Sequence, residues 1–447
     1  MNDTIVAIST ALGEGAISII RVSGDDAIKI VNGIFKGKDL SKVDSHTINY
    51  GHIIYKDEII DEVLVSVMRS PKTYTKEDVI EINTHGSIAV VNKIMEILLL
   101  SGCRLAEPGE FTKRAFLNGR IDLTEAEGVM DLINSETELT RKMAVNELSG
   151  KVSKLITDLR EKIVALISNI EVNIDYPEYE DIEVVTIDRI KKEVKEMKEE
   201  LTKILKLSED GKILKDGIKT VILGKPNVGK SSLLNALLEE NKAIVTDVKG
   251  TTRDIVEGSI IVGGVKLNLI DTAGVRKSSD VVEKIGIEKS LSLIDEAELI
   301  LLVLDSSEEL TEEDKFLLDK TKDKKRIVIM NKDDLENNNK YNEDVIRISA
   351  KTNQGIDLVK DKIKELFNAN AFLNKNLTYF TNVRQITILK QAIESLNDAY
   401  QGVLNNSEID MIEIDLKLAW ERLGDIIGAN YTEELIDNLF SRFCLGK

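Results

Sequence analysis

The residues Gly224-Lys225-Pro226-Asn227-Val228-Gly229-Lys230-Ser231-Ser232 match the pattern G-x-x-x-x-G-K-[ST] and directly follow an apolar, strand-like segment, 218–223. A strand that ends in this loop is typical of nucleotide-binding proteins, because the backbone N–H groups of the loop bind phosphate oxygens. Lys230 is expected to contact the terminal phosphates, and the Ser231 hydroxyl is expected to bind Mg²⁺. The loop alone does not identify the base.

Three short motifs follow in the order expected of a GTPase, each after a strand-like segment. Asp271-Thr272-Ala273-Gly274 combines an acidic residue that can hold the metal ion through water with a glycine amide that can contact the γ-phosphate. Asn331-Lys332-Asp333 supplies an aspartate that can accept hydrogen bonds from both N1–H and the exocyclic amine of guanine. Ser349-Ala350-Lys351 is the usual backbone contact to the guanine oxygen. Four such motifs in this order predict a guanine-nucleotide site.

The segment Thr246-Asp247-Val248-Lys249-Gly250-Thr251-Thr252 lies where a GTPase has its first switch, before a predicted hairpin at 259–270. Thr252 is the best candidate to close over Mg²⁺ and the γ-phosphate. After Gly274, Val275 takes the place of the water-orienting glutamine of Ras-type enzymes, and an apolar side chain cannot orient water. Two substitutes remain open: a cation bound by Asn227 in place of an arginine finger, or the carboxylate of Glu283.

The composition of the 447 residues limits the class of protein. The length suffices for roughly three domains. The 60 basic and 78 acidic residues give a net charge of −18, so contact with nucleic acid requires a local patch or a basic partner. No apolar run is long enough to span a bilayer, and Met1-Asn2-Asp3-Thr4 lacks the basic start of a secretory signal. The expected location is the cytoplasm, without membrane attachment.

Cys444 lies close to the end of the chain, in Phe443-Cys444-Leu445-Gly446-Lys447. A prenylation box is excluded, because Gly446 is not aliphatic and Lys447 is not a usual last residue. Two interpretations remain from the residues alone: a buried apolar cysteine, or a thiol activated by the basic terminus.

The periodicity of apolar residues predicts an α+β region at 4–119 and helices from 123 to 207 that resume after 371. Apolar positions from Leu148 to Ile170 predict one long helix, and those from Ile190 to Ile204 predict a second helix packed antiparallel against it. The expected fold class is multidomain α/β plus α, with a Ras-like P-loop GTPase domain inserted into a central helical bundle. The predicted domains are 1–119 (α+β), 120–211 (helical, first part), 212–372 (GTPase) and 373–447 (helical, second part).

The chain closely resembles the bacterial tRNA modification GTPases of the MnmE (TrmE) family. The resemblance is carried by Asp3-Thr4-Ile5-Val6-Ala7-Ile8-Ser9-Thr10, Pro108-Gly109-Glu110-Phe111-Thr112, Arg114-Ala115-Phe116-Leu117-Asn118-Gly119, the inserted GTPase motifs and the terminal Cys-Leu-Gly-Lys. The terminal motif is more often Cys-Ile-Gly-Lys in the family, and Leu445 is a mild departure.

The resemblance implies a K⁺-stimulated GTP hydrolase that works with the FAD-dependent partner MnmG (GidA). Together they would add an aminomethyl or carboxymethylaminomethyl group to C5 of the wobble uridine of certain tRNAs. A tetrahydrofolate derivative (5-formyl- or 5,10-methylene-) would bind the N-terminal domain. The family also implies a homodimer formed through that domain, and a heterotetramer or larger assembly with the partner.

Matching motifs carry the family's site residues over to this chain. The folate residues would be Arg21, Glu81, Arg120 and Lys447. The K⁺ ligands would be Asn227, Thr246, Val248 and Thr251, and the Mg²⁺ ligands Ser231 and Thr252. Glu283 would act on the attacking water, and Cys444 would be a functional thiol that faces the folate pocket.

Two other classes of GTPase fit the sequence less well. An RNA-binding ribosome-assembly GTPase without covalent chemistry usually carries a second GTPase domain or a KH module, and neither pattern occurs in the sequence. A membrane-transport GTPase would need spanning helices. The family resemblance therefore gives the main hypothesis.

Overall fold

The computed structural model describes residues 3–175, 187–239, 258–270, 292–341, 343–373 and 377–447. Two compact units are separated by their internal contacts. The first comprises Met1–Met130, Ser153–Glu161 and Trp420–Lys447, and the second comprises Asp131–Val152 and Lys162–Ala419.

The first unit contains a mixed sheet rich in isoleucine and valine. Its strands are β1 (Ile5–Ile8), β2 (Gly15–Ser23), β3 (Phe35–Lys36), β4 (Thr47–Tyr55), β5 (Glu58–Met68), β6 (Val79–Gly86) and β7 (Arg104–Leu105). Their order is β3-β4-β5-β6-β2-β1-β7, and only the β1–β7 pair is parallel. The α+β prediction for this region is confirmed, and β4 and β5 form an antiparallel hairpin.

Helices cover the sheet of the first unit because their apolar stripes need burial. The helices in this region are α1 (Ala27–Ile34), α2 (Ile88–Leu100), α3 (Glu110–Leu117) and α4 (Leu123–Ile133). On α1, Ala27, Ile28, Val31 and Ile34 are buried, and they join a core with residues of β4, β5 and β6.

The chain continues with α5 (Glu138–Glu147) and α6 (Lys151–Asp175), where the sequence predicts a single helix from Leu148 onward. Leu148 is instead the C-cap residue of α5. Gly150 follows with a positive φ of 69°, which glycine adopts readily and which interrupts the helical path. The predicted start of the helix at Leu148 is therefore wrong, because α6 begins three residues later, at Lys151.

The helix α7 (Ile187–Asp216) buries the predicted stripe, including Val194, Met197 and Leu201. The sequence predicts α6 as its partner, but α7 packs mainly against a helix that follows the nucleotide-binding region, Val383–Leu404. Leu389 and Leu396 of that helix are also buried. Periodicity indicates which face of a helix is buried but not which helix covers it.

The second unit holds a mostly parallel sheet at 218–347. Its strands are β8 (Ile218–Leu223), β9 (Ser259–Val262), β10 (Val265–Leu269), β11 (Leu299–Asp305), β12 (Arg326–Asn331) and β13 (Val345–Arg347). Their order is β13-β12-β11-β8-β10-β9, and only the hairpin β9–β10 is antiparallel. This hairpin turns at Gly263-Gly264, as predicted. All seven residues of β11 are buried, which explains the apolar run of its first six residues, Leu299 to Leu304.

The remaining helices follow in chain order. They are α8 (Lys230–Glu239), α9 (Glu312–Lys320), α10 (Ile356–Leu366), α11 (Val383–Leu404), α12 (Ile409–Ile427) and α13 (Glu433–Phe440). The fold is multidomain, with an α+β region, an α/β sheet and long helices on either side of that sheet in sequence. Within the described ranges, no helix is both long and apolar enough to cross a membrane.

Candidate functional site

The phosphate loop lies at the carboxyl end of β8, between the two neighbouring strands β11 and β10. In an open α/β sheet the ligand crevice forms at this point, where the strand order reverses. Two glycines are required there. A Cβ on Gly224 would lie 2.3 Å from the Val303 carbonyl oxygen, and one on Gly229 would lie 2.2 Å from Asn331 Nδ2. The spacing of the motif therefore reflects close approaches to β11 and β12.

Lys230 begins α8 and folds its ammonium group back over the loop. Its Nζ donates hydrogen bonds to the carbonyl oxygens of Gly224, at 2.6 Å, and Lys225, at 2.8 Å. Burial lowers the pKa of Lys230. A cation thus lies within the loop that is predicted to bind phosphate. Ser231 and Ser232 occupy the first turn of the same helix and are exposed.

Asn331, at the end of β12, connects the phosphate loop to the predicted base-binding loop. Its Nδ2 donates to the Val228 carbonyl oxygen at 2.8 Å, and its Oδ1 accepts from the Ala350 N–H at 3.0 Å. Both bonds are buried, and Asn331 is 2% exposed. One side chain therefore fixes the position of the phosphate loop relative to the segment 349–351.

Replacing Asn331 with alanine is expected to weaken nucleotide binding by about tenfold to a hundredfold, since each lost buried bond costs ~1–1.5 kcal/mol. A titration of the full chain with a fluorescent guanosine diphosphate would measure the change. Asn235→Ala, at an exposed position of α8, is the matched control and should bind normally. An unchanged affinity in Asn331→Ala would contradict the connecting role.

The base motifs lie side by side because β12 and β13 are parallel neighbours. The Asp333 N–H donates to the Ile348 carbonyl oxygen at 3.0 Å, which fixes the backbone of the aspartate. The Ser349 hydroxyl donates to Asp334 Oδ1 at 2.7 Å. Ala350 is buried and Lys351 is exposed. The structure thus brings Asp333 and the segment 349–351 together at one edge of the sheet.

Three charged contacts around this site were not anticipated from the sequence. Lys332 Nζ lies 2.5 Å from Asp305 Oδ2, and Arg347 Nη1 lies 3.4 Å from Asp333 Oδ1. Lys225 Nζ lies 2.7 Å from a carboxylate oxygen of Glu308. Burial alone would raise the pKa of Asp305, but hydrogen bonds from Lys332 and Ser307 outweigh it and lower the pKa. Asp305 could have been identified as a site residue from the sequence, because it is the acidic residue that ends an apolar strand.

The predicted switch residues lie outside the described residues. They are Thr246, Asp247, Val248, Lys249, Gly250, Thr251, Thr252, Asp271, Thr272, Ala273, Gly274, Val275 and Glu283. Of the predicted K⁺ and Mg²⁺ ligands, the structure therefore describes only Asn227 and Ser231. Asn227 is exposed in the loop, with a positive φ of 63°.

A second cluster lies in the first unit, where Arg21 on β2 and Glu81 on β6 are direct cross-strand neighbours. Their side chains form an ion pair with Arg21 Nη2 2.8 Å from Glu81 Oε1. Arg21 Nη1 also donates to the Gly446 carbonyl oxygen at 3.1 Å. Burial, then the charge of Arg21, lowers the pKa of Lys447. Three of the four predicted folate residues are thus close together.

Arg120 joins the same cluster through Tyr74, which the sequence analysis missed. The guanidinium carbon of Arg120 lies 4.5 Å from the centre of the Tyr74 ring, and that of Arg21 lies 5.7 Å from it. An aromatic face between two guanidinium groups attracts both by cation–π interaction. No sequence pattern singles out Tyr74, because its partners come from distant segments.

The chain end is held against the sheet by Gly446. Its φ is +84°, and a Cβ there would lie 2.4 Å from the Ile8 carbonyl oxygen. The Ser9 hydroxyl donates to the Gly446 carbonyl oxygen at 3.2 Å. Cys444 is exposed, so the interpretation as a buried apolar cysteine is wrong.

The sheet order, the phosphate loop at its switch point and the aspartate after β12 define a P-loop protein of the guanine-nucleotide-binding class. Two family models match the chain: the MnmE helical domain over residues 123–444 and the N-terminus of the GTP-binding protein TrmE over residues 4–120. The chain belongs to the MnmE family of tRNA modification GTPases.

Curated relatives match over the full length. The tRNA modification GTPase MnmE of Streptococcus thermophilus is 54% identical over 100% of this chain and 98% of its own length. The enzyme of the same name from Lactococcus lactis subsp. cremoris is 51% identical over 100% of this chain and 98% of its own length. Among solved structures, the G domain of the T. maritima FeoB iron transporter is 28% identical to this chain. The match covers 33% of this chain and 98% of that domain, with a TM-score of 0.24.

Proposed function

We propose that this protein is a K⁺-stimulated GTP hydrolase that acts in tRNA modification. With an FAD-dependent partner of the MnmG type, it would add an aminomethyl or carboxymethylaminomethyl group to C5 of the wobble uridine of certain tRNAs. The observation that best supports a guanine-nucleotide site is Asn331, which joins the phosphate loop to the base-binding loop. Family membership supports the tRNA substrate.

The predicted domains support a division of tasks along the chain. Residues 1–119 would bind the folate and form the homodimer, 212–372 would hydrolyse GTP, and the helical parts 120–211 and 373–447 would join them. The protein would work in the cytoplasm as a homodimer, and it would assemble with the MnmG-type partner.

The residues of the nucleotide site fit the proposed ions by their donor chemistry. Ser231 offers a hydroxyl oxygen and Asn227 an amide oxygen, and hard cations prefer such oxygen ligands. Thr252 would complete the Mg²⁺ site, and Thr246, Val248 and Thr251 the K⁺ site, whereas Glu283 would orient the attacking water. K⁺ would supply positive charge beside the bridging phosphate oxygen.

GTP hydrolysis by the full chain is expected to be at least about tenfold faster in KCl than in NaCl at matched ionic strength. The Asn227→Ala variant should lose most of this ratio because it removes a proposed ligand. A phosphate-release assay measures both. Asn235→Ala serves as the control and should keep the ratio. Equal rates in the two salts for the unmodified protein would exclude K⁺ as the substitute for an arginine finger.

The cluster of Arg21, Glu81, Arg120 and Lys447 supports the proposed binding of a tetrahydrofolate derivative. Its cations suit the carboxylates of folate, its carboxylate suits the pterin donors, and the Tyr74 ring offers an apolar face. The exposed Cys444 belongs to the same chain end, where it would be the functional thiol.

Arg120→Gln is expected to weaken binding of 5-formyltetrahydrofolate to the full chain by about tenfold, since it removes one charged hydrogen-bond donor worth ~1.5 kcal/mol. Isothermal titration calorimetry measures the change. Arg422→Gln, with the same loss of charge on α12, should bind as the unmodified protein does. If both variants bind alike, the cluster is not the folate site.

The whole proposal is tested by mass spectrometry of nucleosides in tRNA from cells depleted of this protein. Loss of the aminomethyl-type wobble uridines, restored by the intact gene, is expected. An unchanged nucleoside profile together with defective ribosomal particles would instead support a ribosome-assembly GTPase.

A further inference from the structure

The chain enters and leaves the nucleotide-binding sheet through two short connections within the second unit. The first runs from the end of α7 to β8, and Lys215 lies in the last turn of α7, just before this connection. The second leads into α11, and Thr381 lies one residue before the Asn382 N-cap of that helix. Both connections end at the same group of side chains.

Lys215 Nζ lies 2.6 Å from Asp131 Oδ2, on α4. The Thr381 hydroxyl donates to Glu147 Oε1, on α5, at 2.5 Å and lies 3.5 Å from Asp131 Oδ2. Glu147 is 1% exposed and Thr381 is 3% exposed. These four residues, which we call the connection cluster, tie both connections of the sheet to α4 and α5.

The charges of the connection cluster balance only if one carboxyl group is protonated. Burial, then the negative charge of Asp131, raises the pKa of Glu147 to about 8, although Lys215 opposes the shift. The Tyr379 hydroxyl also faces Glu147, and burial, then that carboxyl group, raises its pKa. With Glu147 neutral, Asp131 and Lys215 compensate each other. Ionised Glu147 would add an uncompensated buried charge.

A further contact links the same helices to the strand that leads to the nucleotide. Lys266 on β10 lies 2.9 Å from Glu136 Oε2, in the segment between α4 and α5. Along the chain, β10 leads directly to the predicted Asp271 motif. A cavity of about 210 Å³ is lined by residues of both contacts, among them Asp131, Lys215, Thr381 and Lys266. A space of this size allows side chains to rearrange where a close-packed interior would resist it.

We propose that the connection cluster is a coupling joint that transmits the nucleotide state of the sheet to α4 and α5, and that it transmits only while Glu147 holds its proton. The proposal rests on the GTPase function proposed above. A movement of either connection changes the Lys215–Asp131 and Thr381–Glu147 contacts directly, because Lys215 lies in the last turn of α7 and Thr381 lies in the connection to α11. The contacts of the connection cluster require a neutral Glu147, because ionised Glu147 would be repelled by Asp131.

The test is hydrogen–deuterium exchange of the full chain, bound either to GDP or to a non-hydrolysable GTP analogue. The unmodified protein should show a nucleotide-dependent difference in exchange at 138–147 and 377–382. Thr381→Val and Lys215→Met should reduce this difference at least about fivefold. Thr381→Ser, which keeps the hydroxyl, and Lys206→Met, at an exposed position of α7, should preserve it.

The rate of GTP hydrolysis is measured on the same proteins and should change by less than about twofold, because none of these residues belongs to the nucleotide site. If the variants keep the full difference in exchange, or if the unmodified protein shows none while it hydrolyses GTP, the coupling joint is excluded. If the unmodified protein neither binds nor hydrolyses GTP, the proposed function itself fails.

A pH series tests the protonated state without a destabilising substitution. At each pH the ratio of exchange between the two nucleotide states is compared, so that the intrinsic pH dependence of exchange cancels. The ratio should fall toward one between about pH 7 and about pH 9 in the unmodified protein and stay constant in Glu147→Gln. A ratio that is equally pH-independent in both proteins would overturn the role of the proton.

Discussion

Replacing Asp333 with asparagine is expected to weaken GTP and GDP binding by about a hundredfold to ten-thousandfold. A carboxylate that accepts from both N1–H and the exocyclic amine of guanine makes two charged hydrogen bonds, each worth ~1.5–3 kcal/mol. An amide accepts only through its oxygen, and its NH₂ group opposes one guanine donor. The same NH₂ group suits the second carbonyl oxygen of xanthine, so affinity for xanthosine nucleotides should rise.

Competition titrations of the full chain with guanosine and xanthosine diphosphates measure this exchange of preference. Asp357→Asn makes the same chemical change on α10, where the side chain is 83% exposed and pairs with Lys360. That control should leave both affinities unchanged. An Asp333→Asn protein that still prefers guanosine diphosphate at the original affinity would remove Asp333 from base recognition.

Arg114→Met is expected to destabilise the first unit by ~3–5 kcal/mol, because it removes the buried cation that Asp3, Glu77 and the buried Glu110 share. Arg114 is 1% exposed. Its guanidinium lies 2.8 Å from Asp3, 3.2 Å from Glu77 and 3.0 Å from Glu110. Burial alone would lower the pKa of Arg114, but the charges of Glu77 and Glu110 outweigh burial and raise it. The arginine is therefore the centre of a compensated ionic network.

Urea unfolding followed by tryptophan fluorescence measures this loss. Trp420 is the one tryptophan of the sequence and belongs to the same compact unit as Arg114, so its signal reports on that unit. Arg141→Met is the matched control. Arg141 makes an exposed ion pair with Glu138, and such pairs contribute little to stability because solvent screens the charges. If both variants lose the same small amount of stability, the buried network is not the source.

The difference in the free energy of unfolding between Arg114→Met and the unmodified protein should also depend on pH. Burial alone would raise the pKa of Glu110, but hydrogen bonds from Arg104 and Arg114 outweigh burial and lower the pKa below its ordinary 4.5. A carboxyl group with a lowered pKa contributes stability above its ordinary pKa, and that contribution is lost as the pH falls through the lowered value. The stability gap between the two proteins should therefore shrink as the pH falls below the ordinary pKa of 4.5 and through the lowered pKa of Glu110.

Much of the nucleotide site could be predicted from sequence because its parts are local. The phosphate loop needs glycines at fixed positions along the chain. The base motifs follow apolar strands, and the runs of apolar residues predict the bounds of these strands to within a few positions. The residues that hold the predicted folate cluster together were harder to predict from the sequence. Tyr74 carries no motif, and its place between Arg21 and Arg120 depends on how the first unit folds.

The sequence by itself determined the nucleotide class, the mixed fold and the helical stripes, since each depends on neighbouring residues and on the period of the backbone. Only the tertiary structure decided that Asn331 reaches Val228, 103 positions away, and that Thr381 reaches Glu147, 234 positions away. It also decided that α7 packs against α11 and not mainly against α6. The physical reason is that a buried polar group takes whatever partners the packed core brings within hydrogen-bonding distance, and local sequence does not encode that proximity.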